Sequence, residues 1–379
     1  MEKMGVLRRT VLALLASSAA SAKAEPGVSA GELVIGQTIT LQDGKNAYGV
    51  DVLAGARALF EDTNRAGGVG QRRIVLRVLD DDNKSAQAEA NARKLIDEGV
   101  FLLFGSIEGG PSTAVMKAAV ERGVPFFAPM AGSPTLRRPH QAWVFPVRAE
   151  HREEFRALVG HGVSIGLKRV AFFHADSDNG RLHLENVRLA AAEHGATLAL
   201  PLPFGSDVPD AVLDGFVRQL AEQRIDMVLN HGATGLYGKL LRKSREAGLR
   251  TTFLAVNSGS TQLAEALGPL AAGMVFSQVL PNPWARKTAI VREYRESFAR
   301  AHPGQALSYG SLEGYLSAKA LVAALKLAGP QPTRAGFAKA LDNATMDLGG
   351  LKASWRPGEH TGSTFVDLAM VARDGRFIQ

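Results

Sequence analysis

Short runs of consecutive apolar residues alternate along the chain with longer stretches in which apolar residues recur every three or four positions. The first run covers 33–38, and runs at 74–79, 100–104 and 124–128 follow. Runs that are apolar on both faces predict parallel strands covered by helices on either side. Between them Val52, Ala56, Leu59, Phe60 and Thr63 share one helical face, as do Ala88, Ala92, Leu95 and Ile96 after a Ser85 cap, and a third helix runs from Ser112 to Gly123. A second series begins after 145–148. It predicts strands at 169–174, 197–202, 225–230 and 252–256, with helices near 178–194, 210–223 and 234–247. A strand-like run at 274–277 precedes helices near 286–301, 309–328 and 333–342, and the tail reads as strand at 351–355 and 365–371. Two βαβ-rich series without a flexible linker predict an α/β fold of two doubly wound parallel-sheet lobes with a crevice between them. Ligands of open parallel sheets bind beyond the carboxyl ends of the strands. That directs attention to the loops 42–48, 105–112, 129–135, 176–180, 231–235 and 257–261.

The first 24 residues read as an export leader: Lys3, Arg8 and Arg9 form a basic start, 11–16 a short apolar run, and Ala22-Lys23-Ala24 a cleavage site. The expectation is a periplasmic protein cleaved after Ala24, with the Sec and twin-arginine routes both open. No later apolar run approaches the roughly 20 residues of a membrane span, so the mature chain is expected to be soluble. The sequence holds no cysteine, which removes disulfides, a lipidated N-terminal Cys and thiolate metal sites. The formal charge is +7; residues 1–24 carry +3 of it, leaving +4 dispersed along the rest. Without a basic cluster, nucleic acid is not an expected partner.

Several constellations bear on metal or catalytic chemistry. Asp80-Asp81-Asp82 lies at a strand end, where consecutive side chains point to opposite faces and do not converge on an ion. Asp176-Ser177-Asp178-Asn179-Gly180 resembles the start of a calcium loop, but the twelfth position is Val187 rather than Glu. The nine histidines, among them His151, His161, His174, His183 and His194, show no paired spacing on one helix face and are expected to be solvated or capping. Gly105-Ser106-Ile107-Glu108-Gly109 carries its serine one place early for a nucleophile elbow. Gly67-Gly68-Val69-Gly70 follows a helix rather than a strand, the reverse of a dinucleotide fingerprint. The expectation is therefore no metal, no cofactor and no enzymatic activity.

Taken in order, Tyr48-Gly49, the segment NRAGGVGQRRIVLRVLDDDN at 64–83, the Gly/Ser turn at 105–113, VPFFAPMAGSPTL at 124–136, DSDNG at 176–180 and REAGLRTTFL at 245–254 carry a resemblance. The chain resembles the branched-chain amino-acid-binding (Leu/Ile/Val-type) family of type I periplasmic binding proteins over nearly all of the sequence after the leader. The resemblance implies two lobes joined by three crossings, lobe 1 at 31–147 plus 279–348 and lobe 2 at 148–278 plus 349–379. It also implies a monomer that captures a small molecule by hinge closure and delivers it to the membrane permease of an ABC importer. A sensory module of a signalling system is the alternative. In such proteins hydroxyls and backbone amides on the turns after the third and fourth strands grip a ligand carboxylate. The matching positions are Ser106, Gly109, Gly110, Ser112, Ala131, Gly132 and Ser133, which otherwise only form turns and helix caps. Tyr48 matches an aromatic of the first-lobe wall, or packs within its own lobe. Across the cleft, Asn179 stands where an aromatic is usual and Asn257 where a carboxylate for the ligand ammonium is usual. An Asn supplies no counter-charge. The expected ligand is thus a carboxylate or amide without an essential α-ammonium, with a free amino acid as runner-up.

Overall fold

A computed structural model describes residues 25–378 apart from Ser206 and Gly232; the expected leader and its cleavage site lie outside the described residues. The first apolar runs form β1 (Glu32–Ile39), β2 (Arg73–Asp80), β3 (Leu102–Phe104), β4 (Phe126–Phe127) and β5 (Val144–Phe145). They are joined through α1 (Ala47–Arg65), α2 (Ser85–Asp97) and α3 (Gly109–Glu121) into a parallel sheet of order β2-β1-β3-β4-β5. The central strand β3 is wholly buried, as a run of Leu102, Leu103 and Phe104 requires. Ser85 does not cap α2; Lys84 holds that position without a side-chain bond.

The second series builds α4 (His151–Ser164), β6 (Arg169–Ala175), α5 (Asp178–Glu193), β7 (Thr197–Phe204), α6 (Asp210–Glu222), β8 (Met227–His231), α7 (Thr234–Glu246), β9 (Thr252–Ala255), α8 (Ser260–Leu267) and β10 (Val275–Gln278). The chain then returns to the first sheet with α9 (Ala289–Ala301), α10 (Tyr309–Leu327) and α11 (Arg334–Leu341). Phe337 of α11 sets its ring edge-on against Phe101, Phe127 and Phe145, so this return closes the first lobe's core. The tail contributes β11 (Thr345–Asp347), β12 (Lys352–Arg356), β13 (Glu359–Gly362), β14 (Asp367–Val371) and β15 (Phe377–Ile378). β14 pairs antiparallel with β10, and β15 with β14, so the second sheet, ordered β15-β14-β10-β9-β8-β6-β7, is mixed rather than purely parallel.

The third crossing was expected at 349, but the strand pairing does not change there. β12 pairs with β11 and β13 in a separate small sheet. That sheet sits on the first lobe: Trp355 packs against Phe127 and donates its indole N–H to Pro146 O at 2.8 Å, and His360 stacks on Phe145. We propose that the crossing falls at 363–366, where the chain leaves β13 for β14.

The Asp run ties the loop after β1 to β2. Asp81 accepts from Thr40 at 2.6 Å and from Thr38 at 3.3 Å, while Asp80 accepts from the backbone of Leu41, Asp43 and Asp82. Ser177 caps α5 through Gly180 N, and Arg181 pairs with both Asp176 and Asp178.

α1 and α10 touch backbone to backbone. A Cβ on Gly55 would lie 1.8 Å from Ser311 O, and one on Gly314 would lie 1.9 Å from Val52 O. Neither obstacle is a side chain that can swing away, so the two helices would have to separate. Gly314→Ala is therefore expected to lower stability by about 1–3 kcal/mol despite the better helix propensity of Ala. Urea unfolding of the two proteins measures this, and an unchanged midpoint would show that the close crossing is not required.

Candidate functional site

The carboxyl ends of the two sheets face one another across a cleft, and its floor is a buried ion cluster. Arg148, on the first crossing, is 2% exposed and reaches Glu154 of α4 at 2.7 Å and Glu313 of α10 at 3.2 Å. Glu313 also accepts from Tyr48 Oη at 2.6 Å and from Asn257 Nδ2 at 3.3 Å. Glu154 accepts from Asn257 N at 2.9 Å and Ser277 Oγ at 2.7 Å, and bonds His151 Nδ1 at 2.7 Å. Burial alone would raise the Glu154 carboxyl, but Arg148 and His151 outweigh it and hold it at about 2. For Glu313 burial wins over Arg148, and its carboxyl is raised. Burial and the neighbouring Glu313 together push the Tyr48 phenol well above its usual range. The two carboxylates thus shift in opposite directions, Glu154 down through Arg148 and His151 and Glu313 up through burial.

The first-lobe wall comes from the turns after β3 and β4. Tyr48, Glu108, Gly109, Met130 and Ala131 line a cavity of about 40 Å³, with His151, His231, Val256 and Ser258 opposite. Gly109 lies close to the opposite wall: a Cβ there would sit 2.5 Å from Asn179 Nδ2 and displace that side chain. At Gly132 a Cβ would lie 2.6 Å from the His151 ring, and Gly132 O accepts from His151 N at 3.0 Å. Ser133 Oγ donates to Asn179 Oδ1 at 2.7 Å, a direct bond between the lobes. The remaining predicted residues stand back from the cavity. Ser106 and Ser112 are fully buried and bond each other at 2.7 Å, and Gly110 is exposed with Ser85 Oγ as the nearest neighbour of its would-be Cβ. Tyr48, Gly109, Ala131, Gly132, Ser133, Asn179 and Asn257 are brought together around the cleft and its floor; Ser106, Gly110 and Ser112 support the turn.

Arg148, Glu154, Glu313 and Glu108 escaped the sequence reading. Glu313 had a signal: it is a single carboxylate amid Leu312, Tyr315 and Leu316 in a helix buried over most of its length, where an unpaired acid is costly. Glu108 had none. It takes φ 65 and ψ 139 just before α3, a conformation that costs a non-glycine residue about 1–3 kcal/mol and collects at functional sites. Burial raises its carboxyl, with Asp81 adding to the effect.

The second-lobe wall overturns the expectation of solvated or capping histidines. His151 is 5% exposed and His183 0%, and with the half-buried His231 they form one cluster. The His183 and His231 ring centres are 3.7 Å apart, and His151 lies 5.2 and 4.9 Å from them. Among the described residues neither nitrogen of His183 has a partner, nor does Nδ1 of His231. Each such orphan costs on the order of 1–3 kcal/mol unless something beyond the chain satisfies it. Burial, reinforced by the neighbouring imidazoles, lowers His183 and His231 well below the usual histidine range, so both are neutral at pH 7.

A larger cavity of about 900 Å³ lies between α8, Trp284 and Phe377. It shares no lining residue with the cleft cavity and lacks the convergent buried groups, which makes the cleft the candidate site.

Removing Arg148 would leave Glu154 and Glu313 buried without a cation. Arg148→Met is expected to cost about 3–5 kcal/mol at pH 7 and less at pH 4–5, where the stranded carboxyls take up protons. In the parent protein the sign at Glu154 is opposite. Its pKa is depressed on folding, so its contribution is complete above the ordinary Glu value of about 4.3 and is lost as the pH falls towards about 2. Urea titrations of both proteins at the two pH values test this; a variant equally destabilised at both would remove the carboxylates from the explanation.

The profile of the periplasmic binding protein family matches residues 32–376. The chain is 25% identical over 316 residues to Leu/Ile/Val-binding protein homolog 3 of Brucella melitensis biotype 1, covering 82% of this chain and 83% of that one. The crystal structure of a possible leucine/isoleucine/valine-binding protein from Rhodopirellula baltica SH 1 superposes with a TM-score of 0.85 at 26% identity, over 93% of this chain and 97% of that one. A solute-binding protein of an ABC transporter from R. palustris, solved in complex with benzoate, superposes with a TM-score of 0.78 at 18% identity, over 92% and 95% of the two chains. With a family profile spanning both sheets and the cleft between them, the chain belongs to the periplasmic binding protein family.

Proposed function

We propose that this protein captures a small zwitterionic or amide-bearing molecule between its lobes and delivers it to the permease of an ABC importer, acting as a monomer in the periplasm. The observation that carries the ligand class is Glu108, a carboxylate lining the cavity on a strained backbone, with no cation bonded to it among the described residues. The counter-charge missing at Asn257 is thereby available from the opposite lobe. Asn257 itself bonds Glu154 and Glu313 and belongs to the floor. The first-turn amides of α3, unpaired within the helix, favour a carboxylate on the same wall. An ammonium or amide donor facing Glu108 and a carboxylate facing α3 together describe an amino acid or its amide better than a simple acid. The names of the Leu/Ile/Val-binding relatives support this reading. The benzoate complex shows that the same fold also holds an acid without an ammonium, so the choice rests on the side chains.

Hinge closure is the mechanism this reading needs. The cavity of about 40 Å³ is far below the roughly 300–1,000 Å³ of small-molecule pockets, so the lobes part to admit a ligand. Their contacts at Ser133–Asn179 and at Gln262–Asp51 are single hydrogen bonds, cheap to break and remake. A ligand touching both walls would favour the closed arrangement by its differential affinity.

Calorimetry with leucine, 4-methylpentanoate, benzoate and the matching amides tests the ligand class. The expected result is micromolar binding of an amino acid or amide and at least about tenfold weaker binding of the deaminated acid, a difference of about 1.4 kcal/mol. Glu108→Gln is expected to weaken amino-acid binding by about 10- to 100-fold and to leave acids unaffected. An acid that binds as tightly as its amino counterpart would overturn the assignment of Glu108. Small-angle scattering reads the closure: the radius of gyration is expected to fall on adding the best ligand, and no change would argue against hinge motion.

A further inference from the structure

We infer that the second lobe carries a binding site for a divalent late transition-metal ion of the Zn²⁺ class, formed by the imidazoles of His151, His183 and His231. Each residue offers one ring nitrogen, and these three atoms all lie within 4.8 Å of one another. Two nitrogens at about 2.0–2.1 Å from a tetrahedral ion are about 3.3 Å apart, so modest ring rotations close the set. The three residues come from separate elements, the start of α4, the second turn of α5 and the end of β8, so no local packing need gathers them.

The surroundings have the features such a site requires. Glu154 Oε1 holds His151 Nδ1 at 2.7 Å, which leaves Nε2 as its ligand atom and fixes the ring by the carboxylate–histidine pairing usual behind metal ligands. His183 is wholly buried with both nitrogens unpartnered, although Phe155 and the neighbouring rings would pack as well against an apolar side chain. A buried polar atom without a partner calls for water, strain or an ion to account for it, and a three-imidazole cluster is the setting in which an ion does so. Arg148 opposes a cation here, but Glu154 bonds and offsets it, and the carboxyl of Glu108 lines the same cavity. Three imidazoles without a thiolate, in a chain free of cysteine, suit Zn²⁺, Co²⁺, Ni²⁺ or Cu²⁺ rather than Mg²⁺ or Ca²⁺. His151 and His231 line the cavity while His183 is not among its lining residues. The fourth coordination position therefore faces the cleft, open to water or to a carboxylate of a captured molecule.

The test uses the full chain without a histidine tag, stripped with chelator and titrated calorimetrically with ZnCl₂ and CoCl₂, no organic ligand being present. The expected result is one ion per chain, with a visible Co²⁺ spectrum of tetrahedral, thiolate-free coordination. His183→Gln and His231→Gln are each expected to weaken Zn²⁺ at least about 100-fold, beyond the 10- to 100-fold typical of losing an outer-shell partner, while His161→Gln leaves binding unchanged. Circular dichroism confirms that each variant is folded; should one fail to fold, the Co²⁺ spectrum and stoichiometry of the parent protein decide the question. Failure to bind either ion, binding retained in the His183/His231 double variant, or an octahedral Co²⁺ spectrum would each overturn the site, the first implying that water satisfies the imidazoles. None of these outcomes alters the calorimetry of organic ligands, so the two proposals fail separately.

Discussion

Arg148 reaches from the first crossing into a space that no solvent shares, and it bonds two carboxylates from two different helices. Glu313 belongs to a helix packed on the first lobe and Glu154 to the first helix of the second. Taking three charged groups out of water is costly, and only close, multiply bonded geometry recovers that cost. The cluster therefore fixes where α4 and α10 stand relative to the crossing. Through Asn257 and Ser277 it also fixes the ends of β9 and β10. The floor of the cleft is held by several buried, charge-assisted bonds, whereas the walls above it meet through single hydrogen bonds. That contrast is what the proposed hinge closure requires.

The walls divide the chemistry. The first lobe offers small residues, helix-terminal amides and Glu108, the set on which the proposed recognition of a small molecule rests. The second lobe offers a cluster of imidazoles in which both nitrogens of His183 and Nδ1 of His231 have no partner among the described residues. Glu154 links the floor to the second wall, because the same carboxylate that balances Arg148 also bonds His151. A perturbation at one of these groups is thus felt at both the floor and the second wall. The close approach of the first-lobe turn to α4 depends on Gly132, where a Cβ would meet both the ring and the backbone nitrogen of His151.

Much of the architecture was legible from the order of apolar runs. Strands at 33–38, 74–79 and 169–174 and helices near 178–194, 210–223 and 309–328 appear within a residue or two of their expected bounds. Periodicity and helix stops are local properties, and local properties survive in a single sequence. The short strands were harder. β5 and β15 are two residues each, and β11 and β13 gain their strand character only by pairing with neighbours. The destination of the tail was likewise invisible: Trp355 and His360 bind it to the first lobe through contacts with residues more than two hundred positions away.

The sequence by itself determined the α/β class, the two series of strands and the turns at which a site would form, because each depends on neighbours within a few residues. It also marked Tyr48, Gly109, Ala131, Gly132, Ser133, Asn179 and Asn257 for the cleft through the motifs that hold them. Only the tertiary structure decided what those turns face. Glu108 shows no pattern until its backbone places it at the cavity, and Arg148 becomes an anchor only when α4 and α10 bring carboxylates to it. His151, His183 and His231 are unremarkable in the chain and become a cluster because β8 and two helices end at the same place. Convergence of distant side chains is set by how sheets and helices pack, and packing is a property of the whole chain rather than of any segment of it.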